Sequence, residues 1–392
     1  MSHRKHWLTA AYIAGCVAIS ISIFTFGWKP TWRGLRVFNP IVPVFADMRT
    51  VQAAPSAVAK GFNPQVQNPT DPWRRTMNYP RVWLWIANGL NLADEQNYLL
   101  FVGAYVATFI GCIAVLLRKF PSLTLLMLAF SSSVLLCIER GNNDLVTFIL
   151  IFLASFSVSS SLLTAILMLI AGLLKIYPAV AVLPLFRRRR DWVYPIAITA
   201  CVALSLYGQV GVKSPISREI AYGIPSLAAR FTHAQNIHIP LWLLAGIHIV
   251  IPLCVLFVFG VPKKIRAVYI EQQIGEVERR LFLSGALIYT FTFLAASNFD
   301  YRLIYLLLCV PYLLRLPHRA LRAVVSALLV IASNYWLIQD PFNIWIKVNL
   351  IAKSLLFEML VYLLLVEAWR HRPASLVKWM DGWRFFALNA QK

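Results

Sequence analysis

The chain has 392 residues, of which 59% are hydrophobic and only 14% are charged, and its mean hydropathy is +0.66. This composition excludes a soluble globular protein of this length, because so much apolar surface needs a membrane to cover it. The net charge of +21 is spread over short clusters between long apolar runs, which is typical of membrane loops and argues against a nucleic-acid partner.

Apolar windows along the chain predict an all-α polytopic membrane protein in one domain, residues 1–392, with about 10–12 transmembrane helices. The first apolar stretch has no small-residue cleavage site, so we expect an uncleaved first span and not a signal peptide. The six cysteines lie in apolar segments without CxxC or Cys/His spacing, so we expect neither disulfides nor zinc. The spans are predicted near residues 8–27, 98–117, 121–138, 144–158, 191–210, 239–260, 281–297, 303–315, 320–338 and 347–366.

One further apolar segment, residues 162–186, contains Lys175 and Pro178 and runs into four consecutive arginines at 187–190. Since proline breaks a helix, we predict a broken or re-entrant hairpin here; the alternative is one span kinked at the proline. Under the positive-inside rule the hairpin places every basic cluster, both termini and a tail over 373–392 in the cytoplasm. These clusters are Arg4/Lys5, Arg118/Lys119, 187–190, 263–266, Arg279/Arg280, Arg319/Arg322 and Arg370/Arg372.

The longest predicted external loop, residues 28–97, follows the first span, and loops of this length are often functional. Asp47 follows an apolar approach and is a candidate general base, although it equally suits the cap of a helix over 48–60. Arg49 is a candidate phosphate ligand two positions later. Between 81 and 93 the aromatic and apolar spacing predicts a helix that lies in the membrane interface.

The same loop carries Asp71, Arg74 and Arg75 in a tract rich in proline and asparagine. These side chains either shape an acceptor site or belong to a solvated loop, which we favour. Farther along, His233 and His238 lie five residues apart without a nearby carboxylate. This is a weak metal signal, because loop histidines are usually solvated.

Three later external turns collect ionisable and amide side chains at the ends of predicted spans, where such groups are functional candidates by default. The first and the last have simpler interpretations: a turn and helix start for the first, and an ion pair between Asp300 and Arg302 for the last. Together they are cationic and amide-rich, which suits a lipid-linked phosphate. The side chains are Glu139, Arg140, Asn142, Asn143 and Asp144, then Lys175 and Tyr177, then Asn298, Asp300, Tyr301 and Arg302.

In combination and order, these short motifs resemble glycosyltransferase family 87, membrane enzymes of the GT-C fold. The resemblance covers roughly residues 40–310, and each motif alone is unspecific. The motifs are Asp47-x-Arg49, Asn-Tyr-Pro80, Glu-Arg-Gly-Asn-Asn-Asp144, Lys-Ile-Tyr-Pro178 and Asn-Phe-Asp-Tyr-Arg302.

The resemblance implies an inverting enzyme that transfers a sugar, often mannose, from a polyprenyl phosphate donor to a lipid or glycan acceptor, without a required metal or other cofactor. It implies that Asp47 is the base and that Arg140, Lys175 and Arg302 stabilise the leaving phosphate. The resemblance implies a protein of the bacterial inner membrane whose sugar transfer takes place on the extracytoplasmic face. The long Asn-Pro and Asp-Pro tract of the first loop departs from the family pattern and leaves the acceptor open.

Two other functions remain open from the sequence. A transporter or lipid flippase would also carry charges at membrane depth, but the chain shows no internal repeat. A polysaccharide polymerase or ligase of the O-antigen type would also bind a lipid phosphate, but its long loop is expected late in the chain, whereas here it comes first.

Overall fold

The computed structural model describes residues 3–182, 185–186, 189–206, 220–235, 238–259, 274–316, 319–335 and 344–370. Four of the basic clusters, Arg4/Lys5, 187–190, 263–266 and Arg370/Arg372, lie outside this description wholly or in their side chains, and so does the tail over 373–392. The helices are α1 (His3–Phe26), α2 (Trp28–Gly34), α3 (Ala46–Ala59), α4 (Val82–Gly89), α5 (Glu95–Lys119), α6 (Leu123–Ala129), α7 (Ser132–Arg140), α8 (Asp144–Phe156), α9 (Ser161–Leu174), α10 (Val193–Ser205), α11 (Ile224–Gln235), α12 (Leu241–Phe259), α13 (Glu276–Ala295), α14 (Leu306–Leu313), α15 (Arg319–Ser333) and α16 (Ile344–Arg370).

Short 3₁₀ segments cover Tyr177–Ala181, Arg189–Trp192 and Asp300–Tyr305. Strand β1 (Ala221–Tyr222) pairs antiparallel with β2 (Asn298–Phe299), with Ala221 opposite Phe299. Among the described residues, this short ribbon is the only β-structure, and the chain is otherwise mostly helical with connecting loops.

Within the ranges that the structure describes, four segments are long and apolar enough to cross a membrane: His6–Phe26, Glu95–Lys119, Leu123–Arg140 and Ile344–Ala368. Other apolar helices, α8, α9, α10 and part of α12, are shorter. An all-α protein with helices of membrane-spanning length is therefore confirmed, while the predicted number of spans stays a prediction.

The long loop over 28–97, which the sequence predicts to be external, contains two helices that the sequence also predicted. Helix α3 takes the place of the helix predicted over 48–60, and α4 that of the interface helix. Within α4, Trp83 is buried and its Nε1 donates to the carbonyl of Leu174 at 3.0 Å, whereas Trp85 is exposed. The loop is therefore attached to the end of α9 and does not lie free.

Segment 162–186 breaks where proline and lysine predicted it. Helix α9 ends at Leu174, and Lys175 is extended, with φ −151° and ψ 142°. Just outside the two ends of the segment, Ser161 Oγ donates a hydrogen bond to Asp191 Oδ2 at 2.9 Å. Ser161 begins α9 and Asp191 follows the arginine run, so the two ends of this stretch are close in space, and the hairpin itself stays a prediction.

Two groups of charged side chains lie near opposite ends of helix α8. At one end, Lys119 Nζ lies 4.6 Å from the ring centroid of Phe156, and Arg280 donates to the carbonyl of Ser157 at 3.5 Å. Glu278 pairs with Arg315 at 3.0 Å in the same region. We call this the basic end. Helix α8 runs from Asp144 to this end, and its 13 residues span about 20 Å.

Candidate functional site

A cavity of about 520 Å³ opens at the end of the helices opposite the basic end. Its walls come from the first loop with α3, from the end of α7, and from the β1–β2 ribbon. The lining residues are Phe38, Asp47, Thr50, Arg75, Thr76, Asn78, Tyr79, Leu136, Arg140, Ile220, Phe299 and Tyr301.

Asp47 lies in the first turn of α3, on the cavity wall. The N-cap of α3 is Phe45, in the left-handed conformation, so the prediction that Asp47 caps this helix was wrong. Its carboxylate instead accepts from Asn142 Nδ2 at 2.6 Å through Oδ2, while Oδ1 lies 3.8 Å from Arg75 Nη1. One oxygen is thus held by the protein, and the other is on the side of Arg75 and the cavity.

Arg75 is fixed by the carboxylate that precedes it in the loop. Asp71 is buried and accepts from Arg75 Nη2 at 3.0 Å and Nε at 3.2 Å, and the carbonyl of Ala46 accepts from Nη2 at 2.5 Å. The favoured prediction of a solvated loop was therefore wrong for Asp71 and Arg75, although it holds for Arg74, which is exposed. The buried carboxylate of Asp71 thus holds Arg75 beside Asp47.

The Glu139–Arg140 pair joins the end of α7 to the start of the first loop. Glu139 is fully buried, and its Oε1 accepts from the backbone N–H of Ile41 at 2.9 Å. Arg140 pairs with Glu139 at 3.0 Å and donates to the carbonyl of Asn39 at 3.0 Å. Gly141 then ends α7 in the left-handed conformation, with φ 53°. Arg140 therefore both fixes the start of the first loop and lines the cavity.

Asp144 collects two cations behind the cavity. Its Oδ1 accepts from Lys175 Nζ at 2.6 Å, and its Oδ2 lies 3.8 Å from Arg302 Nε. One carboxylate between two cations leaves a net charge of +1. The side chain of Arg302 is 19% exposed and that of Lys175 only 7%, so Arg302 is the more accessible cation. Neither belongs to the cavity lining given above.

Aromatic side chains and Asn298 orient Arg302. Its guanidinium lies 5.0 Å from the ring centroid of Tyr177 and donates to Asn298 Oδ1. The hydroxyl of Tyr177 is 3.2 Å from that of Tyr305. Nearby, the side chain of Asn143 is fully buried, and neither its oxygen nor its nitrogen meets a hydrogen-bond partner among the residues described.

The predicted ion pair between Asp300 and Arg302 was wrong. Asp300 accepts instead from Lys353 Nζ of α16, at 2.7 and 2.8 Å, and both side chains are buried. Burial raises the pKa of the Asp300 carboxyl, and the Lys353 ammonium opposes this shift. Lys353 was missed in the sequence, although a lysine well inside an apolar span is a signal that could have found it.

Arg49 points to a neighbouring helix and not to a cavity-lining position. It forms two contacts with Glu95, at 2.5 and 2.8 Å, and lies 4.4 Å from the ring centroid of Tyr98. Its Nε donates to the carbonyl of Val44 at 3.1 Å. These contacts give Arg49 the role of fixing α3 against α5, so the structure does not place it as a phosphate ligand.

Two tyrosines, Tyr79 and Tyr301, line the cavity close enough to both Asp47 and Asp144 to feel their charges. Tyr301 was a sequence candidate, but Tyr79 was not, although it stands in the motif that closes the first loop. Burial raises the pKa of both phenols well above the usual value, and the nearby charge of Asp47 acts in the same direction. Both phenols are therefore neutral hydroxyl groups at physiological pH.

The side chain of His233 lies outside the described part of the structure. Among the residues that are described, no group of three or more His, Cys, Asp or Glu side chains is placed to hold a metal ion. No protein-family model, no curated protein and no solved structure matches the chain.

Proposed function

We propose that this protein is an inverting membrane glycosyltransferase that moves a hexose or pentose from a polyprenyl phosphate donor to a lipid or glycan acceptor. The observation that carries the proposal is the position of Asp47. Its carboxylate lines a cavity and is joined through Asn142 to a buried group with a net charge of +1. A base beside a cationic site is the arrangement that displacement of a phosphate leaving group needs.

The division of charge supports an extracytoplasmic site in a multi-pass protein. The cavity and the basic end lie at opposite ends of α8, about 20 Å apart, which is a large part of the thickness of a bilayer core. The positive-inside rule applies to basic residues of short loops at span ends, such as Lys119 and Arg280, and not to a long loop such as 28–97. With the basic end in the cytoplasm, the cavity faces the other side, where lipid-linked sugars serve as donors in place of nucleotide sugars.

The reaction is a single displacement. The acceptor hydroxyl attacks the anomeric carbon and gives its proton to Asp47 Oδ1, while the bond from that carbon to the phosphate oxygen breaks. The electron pair leaves with polyprenyl phosphate, and the configuration at carbon inverts. Arg140 and Arg302, supported by Lys175, stabilise the negative charge that develops on the leaving group.

The distance between Arg75 and Asp47 assigns Arg75 to the acceptor side. In an in-line displacement the leaving oxygen lies opposite the attacking oxygen, with the anomeric carbon between them. A cation only 3.8 Å from the base is therefore too close to it to hold the leaving phosphate. Arg75 instead orients Asp47 and contacts the acceptor, and the neutral phenols of Tyr79 and Tyr301 border the sugar.

Transfer of radiolabelled sugar from a panel of polyprenyl phosphate sugars tests the proposal, with Asp47→Ala and the isosteric Asp47→Asn beside wild type. We expect both variants to lose about a hundredfold or more in rate, because each lacks the base. Asp94→Asn is the control, since Asp94 is an exposed carboxylate at the start of α5 and should retain full transfer. Full transfer by folded Asp47→Asn would remove Asp47 as the base.

A transporter or flippase is the second candidate, because α16, an apolar helix long enough to cross a membrane, carries two ionisable side chains, Lys353 and Glu358, that each form an ion pair. Besides Asp300–Lys353, His248 of α12 contacts Glu358 of α16 at 2.5 Å. Such pairs are expected along transport pathways. Movement of a lipid-linked sugar across proteoliposomes, without transfer to any acceptor, would favour this function over the transferase or a polymerase.

A further inference from the structure

Asn142 is the only described side chain that bonds both Asp47 and Lys175. It is fully buried, at the turn between α7 and α8. Its Nδ2 donates to Asp47 Oδ2 at 2.6 Å, and its Oδ1 accepts from Lys175 Nζ at 3.2 Å. The same Oδ1 accepts from the backbone N–H of Asp144 at 2.9 Å.

These contacts determine the orientation of the amide. A flipped side chain would bring its NH₂ group against an ammonium and a backbone N–H, and its oxygen against a carboxylate, so all three hydrogen bonds would be lost. The nitrogen of Asn142 therefore faces Asp47. Because Lys175 withdraws electron density from the amide oxygen, it also makes that nitrogen a stronger donor.

We infer that Asn142 is the positioning residue of the proposed base: it holds Asp47 Oδ2, presents Oδ1 to the acceptor, and transmits the charge of Lys175 to the carboxylate. The inference rests on the proposed function for its catalytic meaning. Two features set Oδ1 apart from Oδ2. The first is the hydrogen bond that occupies Oδ2, and the second is the approach of Arg75 to Oδ1.

The test compares kcat/KM against pH for wild type, Asn142→Ala and Asn142→Asp. Loss of a hydrogen bond to a charged group should lower kcat/KM on the order of 10- to 100-fold in Asn142→Ala. The acid limb of the profile should move to higher pH, because the ionised carboxylate has lost a donor. In Asn142→Asp the move should be larger, since two carboxylates in contact share a proton.

Asn142→Asp is the variant that keeps the packing, because it is isosteric and Lys175 lies next to the new carboxylate. The matched control is Asn334→Ala. Asn334 is also a buried asparagine that joins two helices, accepting from the N–H of Ser132 at 3.1 Å and donating to the carbonyl of Val330 at 2.8 Å. Its loss should lower stability and leave the shape of the pH profile unchanged.

A second readout does not depend on activity. The infrared carboxylate band that is missing in Asp47→Asn identifies Asp47, and its titration can be followed in each variant. We expect it to move to higher pH in both Asn142 variants and to stay in place in Asn334→Ala. A band that titrates as in wild type overturns the inference. If the band moves to higher pH but no donor supports sugar transfer, the inference that Asn142 holds Asp47 stands and the proposed function fails.

Discussion

Around the cavity, charged side chains are held in place by opposite charges. Asp71 holds Arg75, Glu139 holds Arg140, and Asp144 holds Lys175. Arginines fixed in this way lose little freedom when they meet a ligand, which is the condition for strong electrostatic stabilisation. Asp47 is left with an amide donor and the longer contact to Arg75, so its outer oxygen is accessible to a substrate.

The phenol of Tyr79 should contribute to sugar binding. In Tyr79→Phe the hydroxyl is removed and the ring is kept, so kcat/KM should fall about 2- to 10-fold, as for one neutral hydrogen bond. Kinetics with a series of deoxy donors provide the measurement. For the donor that lacks the matching hydroxyl, wild type and variant should be equal; an equal loss with every donor would mean that Tyr79 only shapes the cavity.

At the scale of elements, the ends of helices bring the site together. Helices α8 and α9 form an antiparallel pair, so Asp144 at the start of one meets Lys175 at the end of the other. The 3₁₀ segment Asp300–Tyr305 adds Arg302, and α4 covers the end of α9 through Trp83. Because backbone groups at a helix end have no partner within the helix, the chain at such a junction can leave helical geometry and place side chains in a site.

The turn within segment 161–191 can be tested by cross-linking. Cysteines in Ser161→Cys/Asp191→Cys should form an intramolecular disulfide under mild oxidation, because the native side chains are in hydrogen-bond contact. Counting free thiols with a mass-tagged maleimide should show two fewer than in the reduced protein. The two single variants control for the native cysteines. No loss of thiols in the double variant would favour one straight span.

For the whole molecule, the separation of the basic end from the cavity predicts the orientation in the membrane. Lys119 and Arg74 are both exposed, the first at the basic end and the second on the loop beside the cavity. In intact cells, a membrane-impermeant maleimide should label Arg74→Cys but should label Lys119→Cys only after permeabilisation. Wild type gives the background from native cysteines. Labelling of Lys119→Cys in intact cells would contradict the orientation.

The sequence alone determined the helical class, the break at Lys175 and most residues near the cavity. These features are local: hydrophobic runs, proline and clusters of polar groups act over a few neighbouring residues. Asp47, Arg140, Asn142 and Tyr301 were all candidates before the fold was known.

Only the tertiary structure decided which charges pair, because partners come from distant helices whose mutual rotation no local pattern specifies. Asp300 and Arg302 are two residues apart, yet Asp300 bonds Lys353 and Arg302 approaches Asp144. In the same way, only the structure shows that Glu95 pairs with Arg49 and that Asn142 joins Asp47 to Lys175. Burial decides these pairings, since a charge removed from water needs the nearest opposite charge that packing provides.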